Sequence, residues 1–250
     1  MNNTSEKSTR KFPADMLWSG YFWSMVGCLT VVWTFFSFLL FLIDFPLRLR
    51  GRLVHSGAVL LYKLIVFCSG VRLDVRGKEH LQRREPRIIV ANHQSHFDIV
   101  LLGALVPEPF KYISKKEHYS VPFMGWLMRM ARYFGIERDN PRQSMQILRQ
   151  AGEALDQGFS IVVFPEGTRT PDGEIQEFKG GPFYLGIRKR VPLLPIRLEG
   201  FREVLPKHSL RFRPGRASVI IGEPVYPGEK TGKDKDTFAE QLRDIIINMT

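Results

Sequence analysis

The chain has 250 residues, 36 Lys and Arg against 25 Asp and Glu, a formal net charge of +11 and a pI near 9.8. That length suits one sizeable α/β domain with some chain to spare, and the positive excess seeks anions: nucleic acid, anionic lipid headgroups or phosphate-bearing substrates. The two cysteines, Cys28 and Cys68, both lie in apolar stretches, which argues against a disulfide scaffold or a zinc site and makes a reducing compartment the default.

Residues 1–15 read as a polar tail. Residues 17–43 carry no charge, a run longer than the ~20 residues needed to cross a bilayer core. It is too long for a signal peptide and lacks a small-residue cleavage site. Trp18, Tyr21, Phe22 and Trp23 cluster at one end, as interfacial aromatics do. Lys7, Arg10 and Lys11 precede the run and Arg48, Arg50 and Arg52 follow it, so the positive-inside rule leaves a span and a dip into one leaflet equally open. Residues 53–71 form a second apolar stretch, interrupted by His55 and Lys63. They suggest a helix lying at the interface, with Lys63 reaching for water. Residues 16–70 are thus expected to form a membrane anchor, and 71–250 a separate domain.

Strand and helix signals then alternate. Residues 71–75, 88–91, 112–113, 133–136, 160–164, 193–198 and 217–221 read as strands. Helices are expected over 99–105, 123–131 and 180–188. Asn140-Pro141 is a good cap and first-turn pair for a helix along Met145, Leu148, Ala151 and Leu155. Thr237-x-x-Glu240 reads as the capping box of a closing helix whose face is Phe238, Leu242, Ile245 and Met249. The pattern predicts an α/β fold: a mostly parallel sheet flanked by helices, with an N-terminal membrane-associated helical segment. No internal repeat, P-loop, G-x-S-x-G or G-x-G-x-x-G is present.

The strand at 88–91 ends in Asn92-His93-Gln94-Ser95-His96-Phe97-Asp98. In an unbroken helix, residues five apart point away from a common face. His93 and Asp98 meet only if the chain turns between them, at the carboxyl end of a strand where α/β sheets place ligands. A second reading is structural: Ser95-x-x-Asp98 also fits a capping box with Asp in place of Glu. Two further strand ends carry polar clusters, Glu137-Arg138 and Pro165-Glu166-Gly167-Thr168-Arg169. If their strands are parallel neighbours, all three open onto one crevice, where Arg138 and Arg169 suit a phosphate and Gly167 allows close backbone approach.

In order, Asn92-His93-x4-Asp98, Gly135-Ile136-x-Arg138, Phe164 to Arg169 and Val191-Pro192-Leu193-Leu194-Pro195 resemble the motifs of the 1-acylglycerol-3-phosphate acyltransferase family, over roughly residues 70–225. The resemblance also covers a two-helix N-terminal membrane motif. It implies transfer of an acyl group from an acyl thioester, acyl-CoA or acyl carrier protein, to the hydroxyl of lysophosphatidic acid. His93 would be the general base and Asp98 its orienting partner. Arg138 and Arg169 would bind the acceptor phosphate, with Glu166, Gly167 and Thr168 shaping that pocket. Asn92 and Pro165 would be structural members of the motifs, and Val191, Pro192 and Pro195 structural or on the acyl side. No cofactor, metal or nucleic acid is implied. The partners are lysophosphatidic acid, an anionic phospholipid surface and the acyl donor, with the active site on the cytoplasmic face of a membrane. The rival readings are the same chemistry on glycerol-3-phosphate or another lyso-lipid, a metallohydrolase using His93, His96 and Asp98, and a non-catalytic basic module.

Overall fold

The structure, a computed structural model, describes residues 11–82, 85–137 and 140–250, with side chains from residue 15 onward. Helix α1 (Lys11–Asp44) and helix α2 (Arg52–Cys68) form a hairpin. The join is made by Asp44. Its carboxylate accepts from the backbone N–H of Gly51 at 2.6 Å and of Leu53 at 2.8 Å, supplying acceptors for α2's otherwise unpaired first amides. Gly51 sits at φ 83°, where a Cβ would lie 2.9 Å from the carbonyl oxygen of Ala131.

The segment Asp15–Asp44 is long and apolar enough to cross a membrane, by length and composition. Most of it is uncovered: Val32, Phe35 and Leu39 are exposed. Its beginning is not free, since Phe22 stacks on Phe212 with centroids 3.6 Å apart. Helix α2 departs from expectation. It is a core helix on one face, burying Val54, His55, Ala58, Leu61 and Ile65. His55 looked like a polar interruption, but its Nδ1 lies 3.1 Å from the Tyr133 hydroxyl and its ring packs edge-on to Phe110. Only the other face, with Lys63, Leu60 and Phe67, is open.

The sheet contains β1 (Arg72–Arg76), β2 (Ile88–Ala91), β3 (Phe110–Lys115), β4 (Phe134–Ile136), β5 (Ser160–Val163), β6 (Leu193–Glu199) and β7 (Arg216–Ile221), in the order β1-β7-β6-β2-β5-β3-β4. The pairings β6–β2, β2–β5, β5–β3 and β3–β4 are parallel; β7 runs antiparallel to β6 and parallel to β1. Central β2 and β5 are buried on both faces, as runs of Ile and Val require. Period-two alternation sends Ile89 and Val162 to one core, with α2 and helix α3 (Phe97–Leu105), and Ile88, Val90 and Ile161 to the other.

The remaining helices are α4 (Met124–Met130), α5 (Pro141–Asp156), α6 (Gly181–Lys189), the short α7 (Phe201–Val204) and α8 (Lys235–Asn248). Asn140 caps α5 as expected, its side chain accepting from Gln143 N–H at 3.1 Å. The box before α8 is not the expected one. Thr231 and Asp234 form it, around a 3-10 turn at Gly232–Asp234, and Thr237 lies inside the helix. A rival Thr-x-x-Asp stands earlier in the chain and stops the helix from starting at Thr237. The buried face of α8 is Phe238, Ala239, Leu242 and Ile246.

Candidate active site

Parallel pairing in register sets the site. Val90 lies beside Val163 and Ala91 beside Ile196, so the residues just past β2 face those just past β5 and the last residues of β6. Past Ala91 the strand ends because Asn92 turns its side chain to the neighbouring backbone. Asn92 Nδ2 donates to Leu198 O at 3.0 Å, and Asn92 Oδ1 accepts from Leu198 N–H at 2.7 Å. The chain then bends, and α3 begins with Asp98 in its first turn.

That bend joins the predicted pair. His93 Nδ1 lies 2.9 Å from Asp98 Oδ2. The same oxygen accepts from the backbone N–H of Gln94 at 2.7 Å and of Ser95 at 2.8 Å. One carboxylate therefore both closes the turn and holds the ring, so the geometry asked for by each reading is present. Asp98 is fully buried, and its Oδ1 has no hydrogen-bond partner among the described residues. With Nδ1 held by a carboxylate, the proton belongs on Nδ1 and the lone pair on Nε2. Among the described residues Nε2 carries no hydrogen bond. The ring is also stacked on Phe164, centroids 4.1 Å apart at 21°.

Glu166 braces this turn from behind. Its Oε1 accepts from His93 N–H at 2.6 Å and its Oε2 from Gln176 N–H at 3.0 Å. Thr170 N–H donates to His93 O at 2.9 Å, tying the same loop to His93 a second time. Both oxygens of Glu166 thus hold backbone amides. Burial is the main cause that raises its carboxyl to about 7, opposed by the two amide bonds. Gly167, at φ 74°, makes the tight turn beyond it, against the Lys179 side chain. Thr168 is exposed. Arg169 is half-buried, its guanidinium lowered by desolvation and partly restored by the charge of Asp98.

Other expectations shift. Arg138 lies outside the described residues. Its neighbour Glu137 follows β4, which stands at the sheet edge with β5 and β3 between it and β2. The three polar strand ends share one edge of the sheet, but only those of β2 and β5 are neighbours. Pro195 lies within β6, beside Val90, whereas Val191 and Pro192 belong to the opposite end: Pro192 O accepts from Ile88 N–H at 3.0 Å, at the start of β2. At ~3.3 Å per residue this lies about 15 Å from His93. An apolar cavity of about 260 Å³ opens behind Phe164, lined by Ile113, Ile136, Leu148 and Val163. Among the described residues, no group of three or more His, Cys, Asp or Glu side chains is placed to hold a metal ion, the arrangement a metallohydrolase needs.

A family model described as Acyltransferase matches residues 72–199, more than half of the chain. The protein belongs to the acyltransferase family. Its relatives include the chloroplastic 1-acyl-sn-glycerol-3-phosphate acyltransferase BAT2 of Brassica napus, 32% identical over 201 residues, spanning 80% of this chain and 56% of that protein. The 1-acyl-sn-glycerol-3-phosphate acyltransferase of Pseudomonas aeruginosa is 30% identical over 210 residues, 82% of this chain and 79% of that one. The crystal structure of the 1-acyl-sn-glycerophosphate acyltransferase PlsC from Thermotoga maritima superposes with a TM-score of 0.78 at 26% identity, covering 94% of each chain. The sequence reading anticipated the meeting of His93 with Asp98. It missed the stacking of Phe164 on His93 and the clasp of Gln176 on Glu166, which depend on strand pairing and leave no local pattern.

Proposed function

We propose that this acyltransferase moves a fatty acyl group from an acyl thioester to the free hydroxyl of lysophosphatidic acid, giving phosphatidic acid for phospholipid synthesis. The observation that carries the reading is the 2.9 Å contact between His93 Nδ1 and Asp98 Oδ2, which leaves Nε2 as an unengaged base beside Arg169. Imidazole suits the task because its pKa lies near neutral pH. Nε2 takes the proton of the glycerol hydroxyl as that oxygen attacks the thioester carbonyl. The tetrahedral centre collapses, the C–S bond breaks, and the imidazolium returns its proton to the departing thiolate. One ester forms and one thiol is released, with no acyl-enzyme. Asp98 holds the tautomer and stabilises the imidazolium, as the carboxylate of a serine-protease triad does. Phosphate recognition falls to Arg169 together with Arg138. The cavity behind Phe164 offers apolar surface to an alkyl chain.

The donor is acyl-coenzyme A or acyl carrier protein, and no cofactor takes part. Helix α1 acts as the membrane anchor, and α2, expected within the anchor, packs one face into the core of the acyltransferase domain. The uncovered face of α1 enters the bilayer, and the net charge of +11 holds the domain against anionic lipid on the cytoplasmic side. The test is a panel of lyso-acceptors and glycerol-3-phosphate, each offered with both labelled donors to protein in detergent, with products identified by mass. Phosphatidic acid should form fastest. A faster reaction with glycerol-3-phosphate or an esterified lyso-lipid would move the acceptor, and no acyl transfer to any acceptor would remove the reading.

A further inference from the structure

Helix α4 and the residues just before it carry an apolar surface that the fold leaves open. Val121 and Met124 are exposed, and Trp126 is 50% exposed. Tryptophan has more apolar surface to hide than any other side chain and is highly buried on average. The surface has a fixed shape. Phe123 is held at φ 61°, a conformation that persists only where its surroundings fix it, and its ring meets that of Trp126 edge-on with centroids 5.0 Å apart. The inner side of α4 is committed to the fold: Leu127 and Met130 pack into the same apolar cluster as Leu40 and Phe41 of α1. Helix α4 thus lies against α1, and its open surface adjoins the uncovered one that carries Phe35 and Leu39.

Basic groups edge this surface. Arg129 and Arg132 stand at the end of α4, Arg48 and Arg50 in the turn after α1, and all four are exposed. Lys111 Nζ donates to both Arg50 O and Ala131 O, which sets the two pairs side by side. Among the described residues no carboxylate forms an ion pair with any of the four; Asp44, at the same junction, is committed to two amides. An aromatic pair on an apolar surface, edged by guanidinium groups, matches the boundary between acyl chains and phosphate headgroups. Whatever covers α1 ends against α4, and for a helix in a bilayer that cover is lipid. We propose that residues 121–126 form a second membrane contact, resting Val121, Met124 and Trp126 in the headgroup layer of the leaflet that α1 enters. This rests on α1 as the anchor and extends membrane contact to an element outside the α1–α2 hairpin. The segment follows the 3-10 turn at Lys116–Ser120, just past β3, which runs parallel to β5 and ends at the edge where His93 stands. Seated there, the site opens at headgroup level, and a lyso-lipid reaches it without leaving the leaflet.

The test reads depth first and turnover second. Full-length protein carrying Trp18→Phe, Trp23→Phe and Trp33→Phe keeps Trp126 as its one indole. It is reconstituted in vesicles of phosphatidylglycerol and phosphatidylcholine, the latter brominated near the carbonyls or near the chain ends. Trp126 fluorescence should be quenched most by the shallow bromines and be shielded from aqueous iodide. A companion protein, with Trp126→Phe and Phe35→Trp added, reports on α1. Quenching at position 35 without quenching at 126 overturns the proposal and leaves the anchor; quenching at neither removes both. Shielding of Trp126 from iodide without quenching by lipid puts a second protein there and overturns it too. In the otherwise native chain, Trp126→Glu should lower kcat/KM for lysophosphatidic acid held in vesicles about tenfold, while Trp126→Phe changes it little. Turnover of a short-chain lysophosphatidic acid dissolved as monomer should be unchanged in both. Equal losses on the two acceptors, or no loss on vesicles, contradicts the proposal. Lipid quenching of Trp126 in a protein that transfers no acyl group to either acceptor keeps the contact and removes the acceptor assignment.

Discussion

The two edges of the sheet are built from similar residues and behave in opposite ways. At the edge where β2, β3 and β5 begin, Arg87 is fully buried, and its Nε donates to Glu108 Oε1 at 2.7 Å. Its other two nitrogens donate to the carbonyls of His80 and Leu81. Ser160 Oγ bridges the Arg87 amide and Glu108. Lys111 Nζ, also buried, donates to Arg50 O at 2.8 Å and Ala131 O at 2.6 Å, fastening the α1–α2 turn to the domain. Donors there are consumed by fixed protein acceptors. At the edge where the same strands end, Nε2 of His93, Oδ1 of Asp98 and the guanidinium of Arg169 have no hydrogen-bonded partners among the described residues. The closed edge also holds a buried histidine, His55. His55 is lowered to about 3, mainly by burial and then by Lys111 and Arg52, so it stays neutral through the working range. Polar groups that close on one another hold the fold; those left open are available to a substrate.

The largest expected effect comes from removing the imidazole of His93. His93→Ala should lower turnover by about a thousandfold or more, with thermal stability near wild type. A drop of less than tenfold would mean the open edge is not where the chemistry occurs. Asp98→Asn should cost about 10³–10⁴ in kcat, because the amide favours the wrong imidazole tautomer; single-turnover kinetics read this directly. The closed edge should respond in stability instead. Glu108→Ala leaves the Arg87 charge buried and unpaired, which should lower unfolding free energy by about 3–5 kcal/mol while kcat per folded molecule is kept. Denaturant melts in detergent measure the first and active-site titration the second.

Smaller effects sharpen the contrast through pH. Glu166 is raised from 4.5 to about 7, so between those values the folded chain holds the extra proton, and stability falls as pH rises through that window. Glu166→Gln should flatten that slope, and by loosening the turn behind His93 reduce kcat about ten- to a hundredfold. His55 titrates with the opposite sign. Below pH 6.5 the unfolded chain takes its proton first, so stability is lost as pH falls from 6.5 towards about 3. His55→Phe should remove that contribution without touching turnover; melting midpoints recorded against pH test both variants together.

Local pattern decided a great deal. The turn from His93 to Asp98 was legible because both residues sit within five positions of one strand end, and strand, turn and helix signals all agree there. The uncharged run of α1 and the cap at Asn140 were legible for the same reason: the interaction that fixes each lies within a few residues. Local pattern misled where two signals competed, as with Thr231 and Thr237, or where burial reversed the meaning of a residue, as with His55 in α2. The order of the strands, the placing of β3 between β5 and β4, and the closure of Arg87 on Glu108 were decided by tertiary structure alone. Each joins residues far apart in the chain that only the folded sheet brings together.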